Sequence, residues 1–380
     1  MLNLKPEVVH FPVASIVAAP SSTSNQPFLQ HSSSIRSLAR QKIDQRNQDV
    51  NDMDIRQRFS LFHTIRSRRH ILLFTAILTL ATLPFSGTAH STPSDINPTA
   101  KSSLQTRSIQ AGDSIWSYYE GEMNGPVLVL VHGFSSNKDV WRNVGQDLGA
   151  RFHVIIPDLP GWGDSTRLAG ESYDIDAQAA RLNDFLLALD LREINLVGHS
   201  MGGAIAGVLA AQRPERIARL ALVNPLGLSF VENDFVRSLN TGGNPFIYDD
   251  RAGVERTARL VYLNPPLMSD QDVGNTIANN RRQRSFIEST LAEIRPPSQW
   301  LALDHRLAQL TMPVLGIGCR EDKVIDISAL ETLQNGLPDN RIGQVVTLEG
   351  CNHLPMIERP VATGRLLTDF AAGAQLPEAL

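Results

Sequence analysis

The stretch LVGHSMGGA, residues 196–204, sets one serine between two glycines where the apolar run INLVGH (194–199) gives way to small, helix-compatible residues. A G-x-S-x-G pattern at a strand-to-helix junction is a sharp turn. The positions two before and two after the serine lie too close to other backbone for side chains, which explains Gly198 and Gly202. Such a turn holds Ser200 proud of the sheet, and the helix that follows offers unpaired N–H groups to nearby negative charge. A neutral serine is a poor nucleophile, so chemistry at Ser200 calls for a base and for an acid that orients the base. Taken alone, the stretch also admits a glycine-rich turn with a bystander serine.

Working outward, short apolar runs alternate with amphipathic stretches from about residue 107. SIWSYYEG resembles a half-buried early strand. PVLVLVHG (126–133), HVIIPD (153–158), INLVGH (194–199), RLALVN (219–224), MPVLGIG (312–318) and QVVTLEG (344–350) are continuous, β-rich and bounded by Gly, Asp or Pro. Runs apolar on both faces suit a parallel sheet covered by helices, and helices are expected near 138–150, 174–189, 200–213 and 360–373. The fold class is therefore α/β, a mostly parallel central sheet with helices on both faces, whose ligands bind beyond the carboxyl ends of the strands. Between Leu226 and Leu310 the alternation stops, and the stretch reads as a helical cap inserted between two strands. Phe230, Phe235, Phe246, Leu260, Leu267, Met268, Phe286, Ile287 and Trp300 are candidates for its inner face. Each reads first as cap core, with Phe230, Phe235 and Trp300 the candidate substrate contacts, and the group as a whole favours an apolar substrate.

The partners of Ser200 follow in the chain order acid, then histidine. GCREDKVID puts Asp322 just past one apolar strand, and EGCNHLPMIERP puts His353 just past the next. His353 is the expected general base, and Asp322 is expected to fix its tautomer. Glu321, Asp326 and Asp158 are rival acids. His132 and His199 sit beside motif residues, where packing and hydrogen bonding are the expected roles. An oxyanion needs two donors. Gly133 in VHGFSSN lets the backbone N–H of Phe134 turn inward, and the N–H of Met201 beside the nucleophile is the second. The loop DLPGWGDS (158–165) reads as a structural turn near the site.

With these residues in place, the chain from about 107 to 375 resembles the α/β-hydrolase superfamily: H-G-F after one strand, D-x-P-G-x-G-x-S after the next, G-H-S-M-G, an acid loop and the NHLPMIERP block. HGFSSNKDVW, VNPLGL followed by NDFV, and KVIDIS look most like the monoacylglycerol lipase and carboxylesterase branch. The resemblance implies hydrolysis of carboxylic esters, with Ser200, Asp322 and His353 matching the family triad and Phe134 and Met201 its oxyanion hole. Carbon–carbon bond hydrolysis or haloperoxidase-type chemistry on the same triad is the alternative, and a non-catalytic binding protein on the scaffold is another. Two positions depart from the family pattern: Cys319 stands where many relatives have Gly, and Asn352 replaces the Gly that usually precedes the histidine. Cys319 and Cys351 fall at the ends of neighbouring strands. Two buried thiols are the expected state; a disulfide, in an oxidising compartment, is the alternative.

Composition bounds the rest. At 380 residues, 42% hydrophobic and 19% charged, the chain can bury a substantial core. Residues 1–69 carry ten Lys/Arg against five Asp/Glu, and the remainder carries 25 against 34. A mildly acidic body argues against a nucleic-acid partner. Two cysteines are too few for a zinc site, and no motif implies a metal, nucleotide or flavin, so no cofactor is expected. Residues 1–69 read as an unstructured or mis-assigned extension, with translation starting at Met53. Residues 70–89 read as a targeting segment: Arg66, Arg68 and Arg69 precede the apolar run Ile71–Phe85, and Gly87-Thr88-Ala89 supplies small residues for cleavage. Export with cleavage is the first expectation and a retained membrane anchor the second, since the run is shorter than the roughly 20 residues a spanning helix prefers. Residues 90–106 read as a polar linker, and 107–380 as the α/β-hydrolase domain with the cap at about 226–310. The partner is a small-molecule ester or lipid.

Overall fold

The computed structural model describes residues 101–338, 343–374 and 376. The N-terminal extension, the targeting segment at 70–89 and most of the linker lie outside them. The strands are β1 (Gln105–Ala111), β2 (Ser114–Glu120), β3 (Val127–Val131), β4 (His153–Pro157), β5 (Ile194–His199), β6 (Ile217–Val223), β7 (Val314–Cys319) and β8 (Gly343–Leu348). They form one sheet in the order β1-β2-β4-β3-β5-β6-β7-β8. β1 and β2 run antiparallel, and every pairing from β4 to β8 is parallel. β4, β5 and β7 are buried at every position, as the uninterrupted apolar runs require.

The expected linker ends early, because Gln105 and Thr106 already belong to β1. This strand is exposed at most positions and carries no apolar alternation; its seven register pairs with β2 make it a strand. Local sequence holds no sign of such an edge strand, since its partner stabilises it.

Helices α1 (Arg142–Leu148), α2 (Ile175–Ala188) and α3 (Met201–Gln212) lie in the first part of the chain. The cap between β6 and β7 contributes α4 (Asp234–Asn240), α5 (Arg251–Val261), α6 (Asp270–Ile294) and α7 (Pro297–Trp300). α8 (Ala329–Gly336), α9 (Pro355–Glu358) and α10 (Pro360–Ala371) follow. α3 is buried on every side until its last residue, which suits a helix of small and apolar residues lying on the sheet. One apolar cluster joins α2, α3 and the cap; a second joins the other face of the sheet to α1 and α10. Parallel register brings the ends of β3, β5, β6, β7 and β8 to one edge: Val131 is level with Gly198, His199 with Val223, and Cys319 with Leu348. The loops beyond those ends carry Phe134, Ser200, Asn224, Asp322 and His353.

Candidate active site

Ser200 stands between β5 and α3 with φ 54° and ψ −122°. A non-glycine residue there carries strain on the order of 1–3 kcal/mol and persists only where its surroundings over-determine it. They do. The Ser200 N–H donates to the Val223 carbonyl at 3.0 Å, and the Ser200 carbonyl accepts from the N–H groups of Gly203 (2.8 Å) and Leu226 (3.0 Å). A Cβ at Gly198 would lie 2.2 Å from the Gly202 carbonyl oxygen, so the turn itself demands that glycine. A Cβ at Gly202 would lie 2.3 Å from the His132 carbonyl oxygen. The second glycine is thus required by the loop after β3 packing onto the elbow.

Asp322 and His353 are brought together as expected. The His353 Nδ1–H donates to Asp322 Oδ2 at 2.8 Å, with the side chains 7% and 0% exposed. Asp322 Oδ1 accepts from the N–H groups of Val324 (2.7 Å) and Ile325 (3.0 Å). The carboxylate is fixed by its own loop, and with Nδ1 protonated the basic nitrogen of His353 is Nε2. His353 adjoins the elbow through His199. Their rings lie 4.8 Å apart, and His199 Nε2–H donates to the His353 carbonyl at 2.8 Å. Because a carbonyl only accepts, His199 carries its proton on Nε2. Burial, followed by the neighbouring His353, pushes its pKa well below 6.5.

The rival acids are elsewhere. Glu321 Oε1 accepts from the Gly350 N–H, Asp326 Oδ1 from the Ser328 N–H, and buried Asp158 pairs with Lys138 Nζ at 2.6 Å. Sequence reasoning missed Asn224, at φ 43° beyond β6. Its Oδ1 accepts from the Cys319 N–H at 2.9 Å, and its Nδ2 donates to the carbonyls of Asn352 and His353, each at 3.2 Å. One side chain therefore joins the acid strand to the histidine loop. The available signal was a polar residue closing an apolar strand.

The two cysteines form a disulfide, contrary to the expected pair of thiols. Cys319 ends β7 opposite Leu348 of β8, and Cys351 follows three residues later, which brings the Cα atoms to 5.5 Å, within bonding reach. Both are fully buried, and the bond joins the loops of Asp322 and His353.

The loop carrying Phe134 lies directly on Ser200: a Cβ at Gly133 would fall 2.9 Å from Ser200 Cβ and 3.1 Å from His199 Nδ1. Among the described residues, neither the Phe134 N–H nor the Met201 N–H has a hydrogen-bond acceptor. His132 steadies this loop. Its Nδ1–H donates to the Gly133 carbonyl at 2.8 Å, and its Nε2 accepts from the Leu159 N–H at 3.0 Å. Burial lowers the pKa of this ring too, partly offset by the charge of Asp158.

Phe134 packs edge-on to Trp162 at 5.1 Å and against Phe246 at 5.2 Å; Trp162 meets Phe286 at 4.7 Å, and Phe246 meets Phe235 at 5.9 Å. Phe235, one of the three expected contacts, thus joins the rings around the site. Phe230 and Trp300 are buried in the same large apolar cluster as part of the cap's packing. Trp162, in a loop read only as a turn, proves to be a neighbour of Phe134. Beside these rings opens a cleft of about 330 Å³, lined by Ser135, Asn137, Asn275, Asn279 and Gln283 among others. It borders the site through Ser135 and Trp162 and carries amides and hydroxyls without a charged side chain.

Residues 126–360 match a family model described as the alpha/beta hydrolase fold. The chain is similar to monoacylglycerol lipase ABHD6 of Homo sapiens, 30% identical over 264 residues that cover 65% of this chain and 75% of that protein. Lipase 1 of Psychrobacter immobilis is 28% identical over 264 residues, covering 68% and 81%. Among solved structures, a membrane phospholipase A described as a bacterial virulence factor superposes with a TM-score of 0.67 at 31% identity, covering 71% of this chain and 86% of that one.

Proposed function

Because the chain belongs to the alpha/beta hydrolase fold family, we propose that Ser200, His353 and Asp322 are the nucleophile, base and acid of a serine carboxylic-ester hydrolase. The observation that carries this reading is the buried Asp322–His353 pair, joined by a hydrogen bond from His199 to the elbow on which the strained Ser200 sits. His353 Nε2 takes the proton of Ser200 Oγ as that oxygen attacks the ester carbonyl. The oxyanion is received by the N–H groups of Phe134 and Met201, donors of a kind worth about 10²–10³-fold each. Collapse expels the alcohol, protonated by His353, and leaves an acyl-serine. Water then enters with His353 again as base, and the carboxylic acid departs.

The substrates are monoacylglycerols or similar esters with an apolar acyl chain. The partly buried Phe134 and Phe246 supply an apolar surface for the chain, backed by the buried rings of Trp162 and Phe286, and the neutral amide-lined cleft suits a hydroxyl-bearing alcohol. The relatives' names support this substrate class. The disulfide favours an oxidising compartment, in keeping with export or membrane anchoring through residues 70–89. Among the described residues no helix is long and apolar enough to cross a membrane.

A fluorophosphonate probe tests the nucleophile: wild type becomes labelled and Ser200→Ala does not. Folded wild type that resists the probe sinks the reading. Hydrolysis of monoolein beside p-nitrophenyl esters of increasing chain length then fixes the substrate preference.

A further inference from the structure

An α-helix ends with carbonyls that lack intrahelical donors. The last three residues of cap helix α5 find theirs on the loops of the acid and the base. The Arg259 carbonyl accepts from Lys323 Nζ at 3.2 Å, the Leu260 carbonyl from Asn352 Nδ2 at 3.0 Å, and the Val261 carbonyl from the His353 N–H at 3.1 Å. Just beyond the helix the direction reverses. The N–H groups of Leu263 (2.8 Å) and Asn264 (3.2 Å) donate to Glu358 Oε1, whose Oε2 accepts from the Asn352 N–H at 2.8 Å. Asn352 Oδ1 also accepts from the Lys323 N–H at 2.9 Å. The cap therefore reaches the site by two routes: by the rings that touch Phe134, and by a hydrogen-bonded strap into the backbone of His353.

We propose that Glu358 and Asn352 are positioning residues that tie His353 to the end of α5, so that the seating of the cap sets the alignment of the base. This rests on the triad reading above. The strap holds the backbone of His353 and, through Lys323, also reaches the loop of Asp322. Asp322 fixes the ring through Nδ1, while Asn352, Glu358 and the Val261 carbonyl fix the backbone from which the ring projects. A cap displaced at α5 carries that backbone with it, and Nε2 leaves its line to Ser200.

The test is kinetic. Glu358→Ala removes both acceptors, and Asn352→Gly removes the side-chain bonds to Leu260 and Lys323 while leaving the chain in place. With p-nitrophenyl butyrate, each should lower kcat about tenfold with KM within about twofold, and the rate of fluorophosphonate labelling should fall in parallel. Glu358→Gln, which keeps one carbonyl oxygen, should recover part of the loss. Circular dichroism checks folding, and should Glu358→Ala fail to fold, Asn352→Gly carries the test. Folded variants with kcat within twofold of wild type, or with the loss confined to KM, overturn the strap while the triad stands. A wild type that neither labels nor hydrolyses any ester overturns the triad reading itself.

Discussion

Breaking the Cys319–Cys351 bond should cost the protein about 3–4 kcal/mol of stability. The bond closes a loop with a sequence separation of 32. The chain-entropy relation for a loop of that size removes about 12 cal/mol/K from the unfolded ensemble, or about 3.7 kcal/mol at 25 °C. At roughly 2–4 °C per kcal/mol for a domain approaching this size, the Tm should fall by roughly 7–15 °C. Both sulfurs are fully buried, so a reductant reaches them only when the chain opens. The assay is therefore urea unfolding at equilibrium with and without a phosphine reductant, beside a Cys319→Ala/Cys351→Ala double variant that the reductant should leave unchanged. Native protein briefly exposed to reductant should keep its midpoint; protein unfolded and refolded in reductant should not. A reduced form within about 1 kcal/mol of the oxidised one would refute the argument, because Asn224 and the Asp322–His353 pair would then hold the two loops without help.

Asp322→Asn leaves the shape of the pair but presents the wrong partner to His353 Nδ1, and kcat should fall on the order of 10⁴-fold in an ester assay with folding intact. Gly133→Ala drives a Cβ to within 2.9 Å of Ser200 Cβ, so kcat should fall at least about tenfold through displaced oxyanion donors; single-turnover acylation would show it. Lys138→Met strands Asp158 without the cation that meets it at 2.6 Å, a loss of about 3–5 kcal/mol in urea unfolding, while the activity of the folded fraction should survive, since the proposed acid is Asp322. Burial holds His199 neutral in the folded state, whereas the unfolded chain takes up a proton below about pH 6.5. Stability is therefore lost as pH falls through that value, because the unfolded chain binds the proton that folded His199 refuses. His132 adds to the same slope. His199→Gln should flatten the dependence by its share, and an unchanged slope would count against a neutral His199.

What the sequence made legible is what neighbouring residues decide among themselves. Buried strands such as INLVGH must be apolar on both faces, and a strand–turn–helix elbow must have glycine on either side of its serine, so β5, α3 and Ser200 could be read from a few consecutive letters. The order of acid and histidine was legible for a related reason: each follows its own apolar run, and a parallel sheet delivers all such ends to one edge. What escaped was set by partners distant in the chain. β1 is a strand because β2 pairs with it. Gly202 is a glycine partly because the His132 carbonyl lies where its side chain would be. Whether two cysteines 32 positions apart bond depends on the register of β7 against β8, which neither segment encodes alone. Asn352 shows the difference most clearly. By itself it looked only like a departure from the glycine that usually precedes the histidine. In the folded chain its side chain bonds both Lys323 and Leu260, so the residue that broke the local pattern binds the acid loop, the base and the cap to one another.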